Sequence, residues 1–166
     1  MSDFRVGIGV DAHALFEGVP LVLGGVELEH PRGLAGHSDG DVIAHALVDA
    51  LLSAVDGGDI GTLFPSDDPT LEGISSLDML RRTYEIVRAR GYELVNASCV
   101  LIGEEPKIGE RREEMAAALR GALGVEADRI SVAATTTDRL GFTGRGEGLA
   151  AEAVALLRRS DAPAMP

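Results

Sequence analysis

Two short segments of the sequence carry imidazole and carboxylate side chains at spacings that suit a metal ion. The first contains Asp11 and His13, which project from one face if the segment is a strand. The second contains His45, four residues after Asp41, and a helix would place these two on one side. Zinc-class cations accept imidazoles and carboxylates where no thiolate is offered. We therefore predict a divalent metal site of Asp11, His13 and His45, with one coordination position open for substrate, as in catalytic sites.

Further polar residues lie close to these ligands in the sequence. Asp49 continues the polar stripe of the predicted helix at the next i+4 position, so we expect it to act behind His45 and to orient the imidazole ring. His37 and Ser38 lie in the loop before the helix and are not needed as ligands. His37 has two interpretations: it hydrogen-bonds the substrate, or it only holds the loop.

A second polar cluster follows a predicted strand near the C-terminus. Thr135, Thr136 and Thr137 offer hydroxyl and backbone N–H groups to an anion, and Asp138 can hold a hard cation such as Mg²⁺. Arg145 lies among glycines and can pair with phosphate. A glycine-rich turn before a helix is the alternative, but it does not account for the threonines and Arg145 together.

One more loop, residues 103–108, follows another predicted strand. It could form a backbone-lined pocket from which Lys107 reaches a phosphate. Taken by itself, the segment is more typical of a solvated loop.

Composition limits the class of protein. The 166 residues are 45% hydrophobic and fit one domain, which we place at residues 1–160, with a frayed tail at 161–166. A formal net charge of -12 disfavours nucleic acid as a partner. The single cysteine, Cys99, lies in an apolar run, as expected in a reducing cytoplasm, and no apolar stretch is long enough to span a membrane. There is no tryptophan and aromatic residues make up 4%, so the thin core favours association between copies of the chain.

Hydrophobic periodicity predicts an α+β fold: a small mixed β-sheet covered on one side by helices. Glycine pairs, caps and apolar stripes set the expected elements. These are strands at 4–11, 21–23, 26–28, 93–102 and 130–135, and helices at 41–54, 76–90, 110–122 and 147–158, with a surface loop at 64–74.

Taken together, the motifs resemble those of the 2-C-methyl-D-erythritol 2,4-cyclodiphosphate synthase family of the non-mevalonate isoprenoid pathway. The resemblance runs from about Arg5 to Leu157. It is carried by His37-Ser38-Asp39-Gly40-Asp41, Asp59-Ile60-Gly61 with Phe64-Pro65, Pro106-Lys107, and Leu140-Gly141-Phe142-Thr143-Gly144-Arg145-Gly146-Glu147-Gly148.

The resemblance implies a role for each matching residue. Zinc is the expected ion at Asp11, His13 and His45, and Mg²⁺ or Mn²⁺ at Asp138, where many family members have glutamate. The substrate's 2-phosphate and erythritol would meet His37, Ser38, Asp59, Gly61 and Phe64; members often carry Asp where this chain has Ser66. The cytidine nucleotide would be held by Gly103, Glu105, Pro106, Lys107, Ile108, Ala134, Thr135 and Thr136.

The activity implied is closure of a cyclic diphosphate with release of CMP from a cytidine diphosphate substrate. His37, Thr136 and Asp49 are the expected catalytic side chains. The family also implies a homotrimer with active sites between subunits, and an isoprenoid diphosphate in the central cavity near Arg145. Two alternatives share the ligand set: a zinc-dependent phosphoesterase that activates water, and a non-catalytic metal or isoprenoid-diphosphate binding protein.

Overall fold

A computed structural model describes residues 3–161, so the predicted frayed tail lies outside the described residues except for Asp161. The strands are β1 (Phe4–Glu17), β2 (Leu21–Leu23), β3 (Val26–Leu28), β4 (Arg32–Leu34), β5 (Tyr92–Ile102), β6 (Ile130–Thr135) and β7 (Gly148–Arg159). The helices are α1 (Val42–Ala54), α2 (Ile60–Leu63), α3 (Ser76–Ala89), α4 (Arg112–Leu123) and α5 (Gly141–Gly144), with single 3₁₀ turns at Pro69–Leu71 and Gly109–Arg111.

Five strands form one mixed sheet in the order β4-β1-β7-β5-β6. The β5–β6 pair is parallel and the other neighbours are antiparallel. The helices α1, α3 and α4 pack on one face of this sheet, and the core lies between the two layers. The predicted α+β architecture, with a mixed sheet covered on one side, is confirmed.

The last element was predicted wrongly: residues 147–158 do not form a helix but the central strand β7. Its run of alanines and leucines has high helix propensity, and this misled the local prediction. In the fold the segment lies between β1 and β5, where alternate residues face the helices. From Ala151 onward burial has the period of a strand: Ala151, Ala153, Ala155 and Leu157 are buried, whereas Glu152 and Val154 are exposed.

The helix α1 packs unusually close to β1. A Cβ atom built on Gly7 would lie 1.9 Å from the carbonyl oxygen of Ala50, and one on Gly9 would lie 2.0 Å from that of Ala46. The Ser53 hydroxyl donates to the carbonyl of Ile8 at 3.0 Å and ties the helix to the same strand. Gly7 and Gly9 therefore allow the helix backbone to approach β1 directly.

Asp41 begins α1 and is fully buried. Its Oδ1 atom accepts hydrogen bonds from the N–H groups of Gly24, Ile43 and Ala44, and its Oδ2 atom accepts one from Gly25. The carboxylate thus caps the helix and also holds the turn of the β2–β3 hairpin. It was predicted as a member of the polar stripe of α1, but it belongs to this cap.

The predicted strands at 21–23 and 26–28 are confirmed and form a hairpin that closes around Gly24-Gly25. Ser75 caps α3, and Gly124 ends α4 in a left-handed conformation. The predicted surface loop at 64–74 contains one 3₁₀ turn. Within residues 3–161, no helix combines the length and hydropathy needed to cross a membrane.

The close contact between α1 and β1 makes a stability prediction. Gly9→Ala should lower the free energy of unfolding by about 3 kcal/mol, since its methyl group collides with backbone rather than with a movable side chain. Gly121→Ala is the matched control: it is a helical glycine of α4 with open space around its Cβ position, so it should stabilise by about 0.5–1 kcal/mol. Denaturant unfolding of the two variants measures both effects. Equal stability of the two proteins would contradict the close packing.

Candidate active site

Asp11, His13 and His45 form a compact group of donor atoms. Asp11 Oδ2 lies 3.0 Å from His13 Nε2 and 3.0 Å from His45 Nδ1, and the two ring nitrogens are 3.4 Å apart. Ligand atoms around a tetrahedral zinc-class ion, at metal–ligand distances of about 2.1 Å, lie about 3.4 Å from one another. The donor set and its spacing therefore fit a divalent metal ion with one free coordination position. The predicted grouping of these three residues is confirmed.

The elements that hold the triad account for this geometry. Asp11 and His13 follow Gly9 on the helix-facing side of β1, at the strand's period of two. His45 lies in the first turns of α1 and is almost completely buried, whereas the Asp11 and His13 side chains are each 23% exposed. The close packing of α1 on β1 thus brings a helix ligand to two strand ligands.

A backbone carbonyl sets the tautomer of His13. Its Nδ1 atom lies 3.1 Å from the carbonyl oxygen of Ala35, which can only accept a hydrogen bond. Nδ1 must therefore carry a proton. The neutral ring presents the lone pair of Nε2 to the triad, whereas the protonated ring donates its Nε2–H to Asp11 Oδ2. Such a partner behind a ligating imidazole fixes the orientation of the ring.

The negative charge of the triad is that of the Asp11 carboxylate. Burial opposes its ionisation, but hydrogen bonds with His13 and His45 outweigh burial and hold the pKa of Asp11 below its usual value. The hydrogen bond to Asp11 raises the pKa of His13 in turn. A metal ion therefore competes with a proton for His13, and metal affinity should increase as pH rises through this pKa.

The triad lies in a pocket of about 270 Å³. The walls include several residues predicted to contact substrate, namely His37, Ser38, Gly61 and Phe64. Other lining residues are Ile60, Pro65, Ser66, Leu71, Ile74 and Met79. The pocket is therefore polar at the triad and largely apolar elsewhere, as in sites for small molecules.

Asp49 and Asp59 hold the helix that forms one wall of this pocket. Asp49 Oδ1 accepts a hydrogen bond from the N–H of Ile60 at 2.8 Å, and Asp59 caps α2 through the N–H of Thr62. Burial raises the pKa of Asp49. Asp49 was expected to orient the ring of His45, but the Nε2 atom of that ring lies near two serine hydroxyls instead.

The residues predicted to bind the nucleotide assemble at a different place. Because β5 and β6 are parallel, Ile102 pairs with Thr135, and the N–H of Gly103 donates to the carbonyl of Thr135 at 3.0 Å. The loop 103–108 therefore lies beside residues 134–136. Lys107 and Thr136 are exposed, whereas Ile108 is buried in the core.

Asp138 and Arg145 follow this second group. Asp138 is exposed in a left-handed conformation at φ 53°, which aspartate tolerates better than most residues do. Within residues 3–161 it does not join a group of three metal-ligating side chains. Arg145 pairs with Glu147, with Nε 2.8 Å from Oε1.

Sequence reasoning missed one side chain that contacts His45 and a second that is bonded to the first. Ser76 Oγ lies 2.9 Å from His45 Nε2, and Ser76 is in turn bonded to Asp39. Ser76 was assigned only to the start of a helix, and Asp39 only to a family motif. No spacing along the chain signals this contact, because 31 residues separate the serine from the histidine.

Comparisons with known proteins agree with this geometry. Residues 4–158 match the YgbB family. The chain is 53% identical over 163 residues to the 2-C-methyl-D-erythritol 2,4-cyclodiphosphate synthase of Rubrobacter xylanophilus, and the match covers 96% of this chain and 98% of the relative.

Two solved structures have the same fold. A CDP-bound 2C-methyl-D-erythritol-2,4-cyclodiphosphate synthase superposes with a TM-score of 0.84 at 42% identity, covering 92% of this chain and 99% of that one. The bifunctional IspDF of Campylobacter jejuni gives a TM-score of 0.91 at 39% identity, covering 95% of this chain but only 43% of that larger protein. The family match, the relatives and the metal-ligating triad agree: this chain belongs to the YgbB family of 2-C-methyl-D-erythritol 2,4-cyclodiphosphate synthases.

Proposed function

We propose that this chain converts 4-diphosphocytidyl-2-C-methyl-D-erythritol 2-phosphate into 2-C-methyl-D-erythritol 2,4-cyclodiphosphate and CMP, a metal-dependent step of non-mevalonate isoprenoid synthesis. The observation that carries the proposal is the triad of Asp11, His13 and His45, set at tetrahedral spacing in a pocket with His37 and Ser38. The matching relatives bear the name of this synthase.

The reaction requires no nucleophile from the protein. An oxygen of the substrate's 2-phosphate attacks the β-phosphorus of the diphosphate. The bond from that phosphorus to the bridging oxygen breaks, and CMP leaves with the bond's electron pair. The main cost is to bring two polyanionic groups together, so the protein contributes positioning and charge neutralisation.

The proposal includes two metal sites. Asp11, His13 and His45 would hold Zn²⁺, and Asp138 would hold Mg²⁺ or Mn²⁺ together with phosphate oxygens, since such ions take few protein carboxylates. When bound, these cations supply the positive charge that offsets repulsion between the phosphates.

His37 and Ser38 would bind the 2-phosphate. The Ser38 oxygen lies 3.0 Å from His45 Nε2 and accepts the N–H of Gly40 at 3.2 Å, so its proton remains available to donate to a phosphate. His37 is exposed at the edge of the pocket and can donate in the same way. Asp49 acts in this proposal by holding the start of α2, which places Gly61 beside the substrate.

The nucleotide would lie along the loop 103–108 and residues 134–136. Lys107 offers a cation and Thr136 a hydroxyl, and backbone groups of Gly103, Glu105 and Pro106 can recognise the base. Ile108 would contribute backbone atoms, because its side chain is part of the core. Ala134 and Thr135 complete this wall at the end of β6.

In this proposal neighbouring subunits share each active site. Asp11 pairs with Ala151, which pairs with Leu101, which pairs with Ala134. Three strand spacings, about 14 Å, therefore separate the metal-binding strand from the nucleotide-binding strand within one chain. We infer that the metal half of one chain faces the nucleotide half of its neighbour.

A homotrimer accounts for the sheet face that helices leave uncovered. Val6, Ile8 and Val10 project from this face and are 68%, 58% and 61% exposed. A contiguous apolar surface of this kind is typical of a subunit interface. In such a trimer Arg145 would have to leave Glu147 to bind an isoprenoid diphosphate in a central cavity.

The buried thiol of Cys99 is in keeping with a cytoplasmic enzyme.

Removal of one metal ligand tests the zinc site. His13→Ala should weaken metal affinity by at least about 100-fold and abolish CMP release, while the fold is retained. Metal analysis after dialysis, together with a CMP assay, measures both effects. His30→Ala is the control, since His30 lies outside the pocket and bonds Arg32. Unchanged metal content in His13→Ala would contradict the ligand assignment.

The product distinguishes a cyclase from a phosphoesterase. Phosphorus NMR of the reaction should show a cyclic diphosphate and free CMP, with no new monoester signal from the erythritol product. A hydrolase with the same ligands would leave an open product that carries a monoester. Appearance of that monoester would replace the cyclase proposal, and absence of CMP release would favour the non-catalytic binding protein.

A charge on the uncovered sheet face tests the trimer. Ile8→Arg should convert the trimer into monomers in analytical ultracentrifugation and abolish CMP release, because the interface would bury an unpaired charge. Glu85→Arg, on the exposed side of α3, should remain trimeric and active. A trimeric Ile8→Arg protein would exclude this face as the interface.

A further inference from the structure

The metal ligand His45 is connected to a second carboxylate through a serine hydroxyl. Its Nδ1 atom faces Asp11, while its Nε2 atom lies 2.9 Å from Ser76 Oγ. Ser76 is bonded twice to Asp39: its hydroxyl bonds to Oδ1, and its backbone N–H donates to Oδ2 at 3.0 Å. An unbroken chain of contacts therefore runs from Asp39 to the metal-facing side of the imidazole.

The direction of each hydrogen bond in this chain follows from the groups involved. An ionised carboxylate can only accept, so the Ser76 hydroxyl donates its proton to Asp39. The oxygen of Ser76 is then free to accept, and the Nε2–H of His45 donates to it at 2.9 Å, with the Ser38 oxygen as a second acceptor at 3.0 Å. This places the proton of His45 on Nε2 and leaves the lone pair of Nδ1 directed at the metal position.

Burial strengthens the connection. Ser76 is completely buried and His45 nearly so, whereas Asp39 is half-buried. Hydrogen bonds in such surroundings are little weakened by water. A carboxylate behind a ligating imidazole fixes the ring and makes the metal-binding nitrogen more basic.

We propose that Ser76 and Asp39 are positioning residues of the metal centre, and that the negative charge of Asp39 acts on His45 through the Ser76 hydroxyl to raise metal affinity. The inference rests on the proposed function, since it requires a metal ion at the triad. Neither residue needs to touch substrate for this role.

The same contacts have a simpler consequence that the test must separate. Asp39 also joins the loop before α1 to the first residue of α3, through the N–H groups of Asp41 and Ser76. If this were its only role, changes at Asp39 would lower stability without a specific effect on the metal. The Ser76→Ala variant keeps the backbone N–H contact and removes only the hydroxyl.

The experiment measures Zn²⁺ affinity of the full-length protein by chelator competition, and the ligand-field spectrum of bound Co²⁺. Ser76→Ala should weaken Zn²⁺ binding at least about 10-fold and alter the Co²⁺ spectrum. Asp39→Asn should have a similar effect, because it removes the charge. It should add less than about 2-fold when Ser76 is already alanine, because the charge acts on His45 through the Ser76 hydroxyl. Ser75→Ala is the matched control: it removes the cap of α3 without touching His45, so its affinity should match the wild type.

Each other outcome overturns the inference. Three results would show that the contacts have only a structural role. These are wild-type Zn²⁺ affinity in Ser76→Ala, an equal loss of affinity in Ser75→Ala, and fully additive effects of Ser76→Ala and Asp39→Asn. If Ser76→Ala fails to fold, Asp39→Asn alone decides, by the same affinity measurement. Zn²⁺ binding by the wild type tests the metal site separately from the role of Ser76 and Asp39. Stoichiometric binding would support the site whatever the variants show, whereas a wild type that binds no Zn²⁺ would overturn both the site and this inference.

Discussion

The close approach of α1 to β1 is the constraint on which the site depends. Gly7 and Gly9 leave no side chain between the strand and the helix, so the backbone of α1 rests on β1. The same face of the strand continues into Asp11, beside the first turns of α1 and therefore beside His45. A side chain at either glycine would push the helix away from the strand and separate His45 from Asp11 and His13. The geometry of the triad therefore depends on the close packing of α1 on β1.

A polar layer at the start of α1 fixes the helix in this position. The buried carboxylate of Asp41 is surrounded by backbone N–H groups of the β2–β3 turn and of the helix itself, which offset the cost of its burial. Asp39 extends the layer to α3 through Ser76. The loop that carries His37 and Ser38 is thus held where it joins α1, and this preorganises the wall of the pocket next to the triad.

The residues proposed to bind the metal and those proposed to bind the nucleotide lie at two separate places on the sheet. Strand β1, which carries Asp11 and His13, and strand β6, whose end is proposed to hold the nucleotide, are separated by β7 and β5. The uncovered apolar face of the sheet offers a surface on which copies of the chain can associate. In the proposed trimer, catalysis therefore depends on assembly, because association would bring the triad of one chain next to the proposed nucleotide site of its neighbour.

Local patterns in the sequence were sufficient for the hairpin, for the helices α1, α3 and α4, and for the grouping of the triad, since strand and helix periods place Asp11, His13 and His45 on known faces. Only the tertiary structure decided that residues 148–159 are a central strand, because their alanines favour a helix until β1 and β5 pair with them. It also decided the partners of Asp49 and Ser76, since no periodicity relates residues on different elements. Helix propensity and the spacing of neighbouring residues can be read from the sequence. The pairing of strands and the contacts between distant side chains depend on which surfaces the fold brings together.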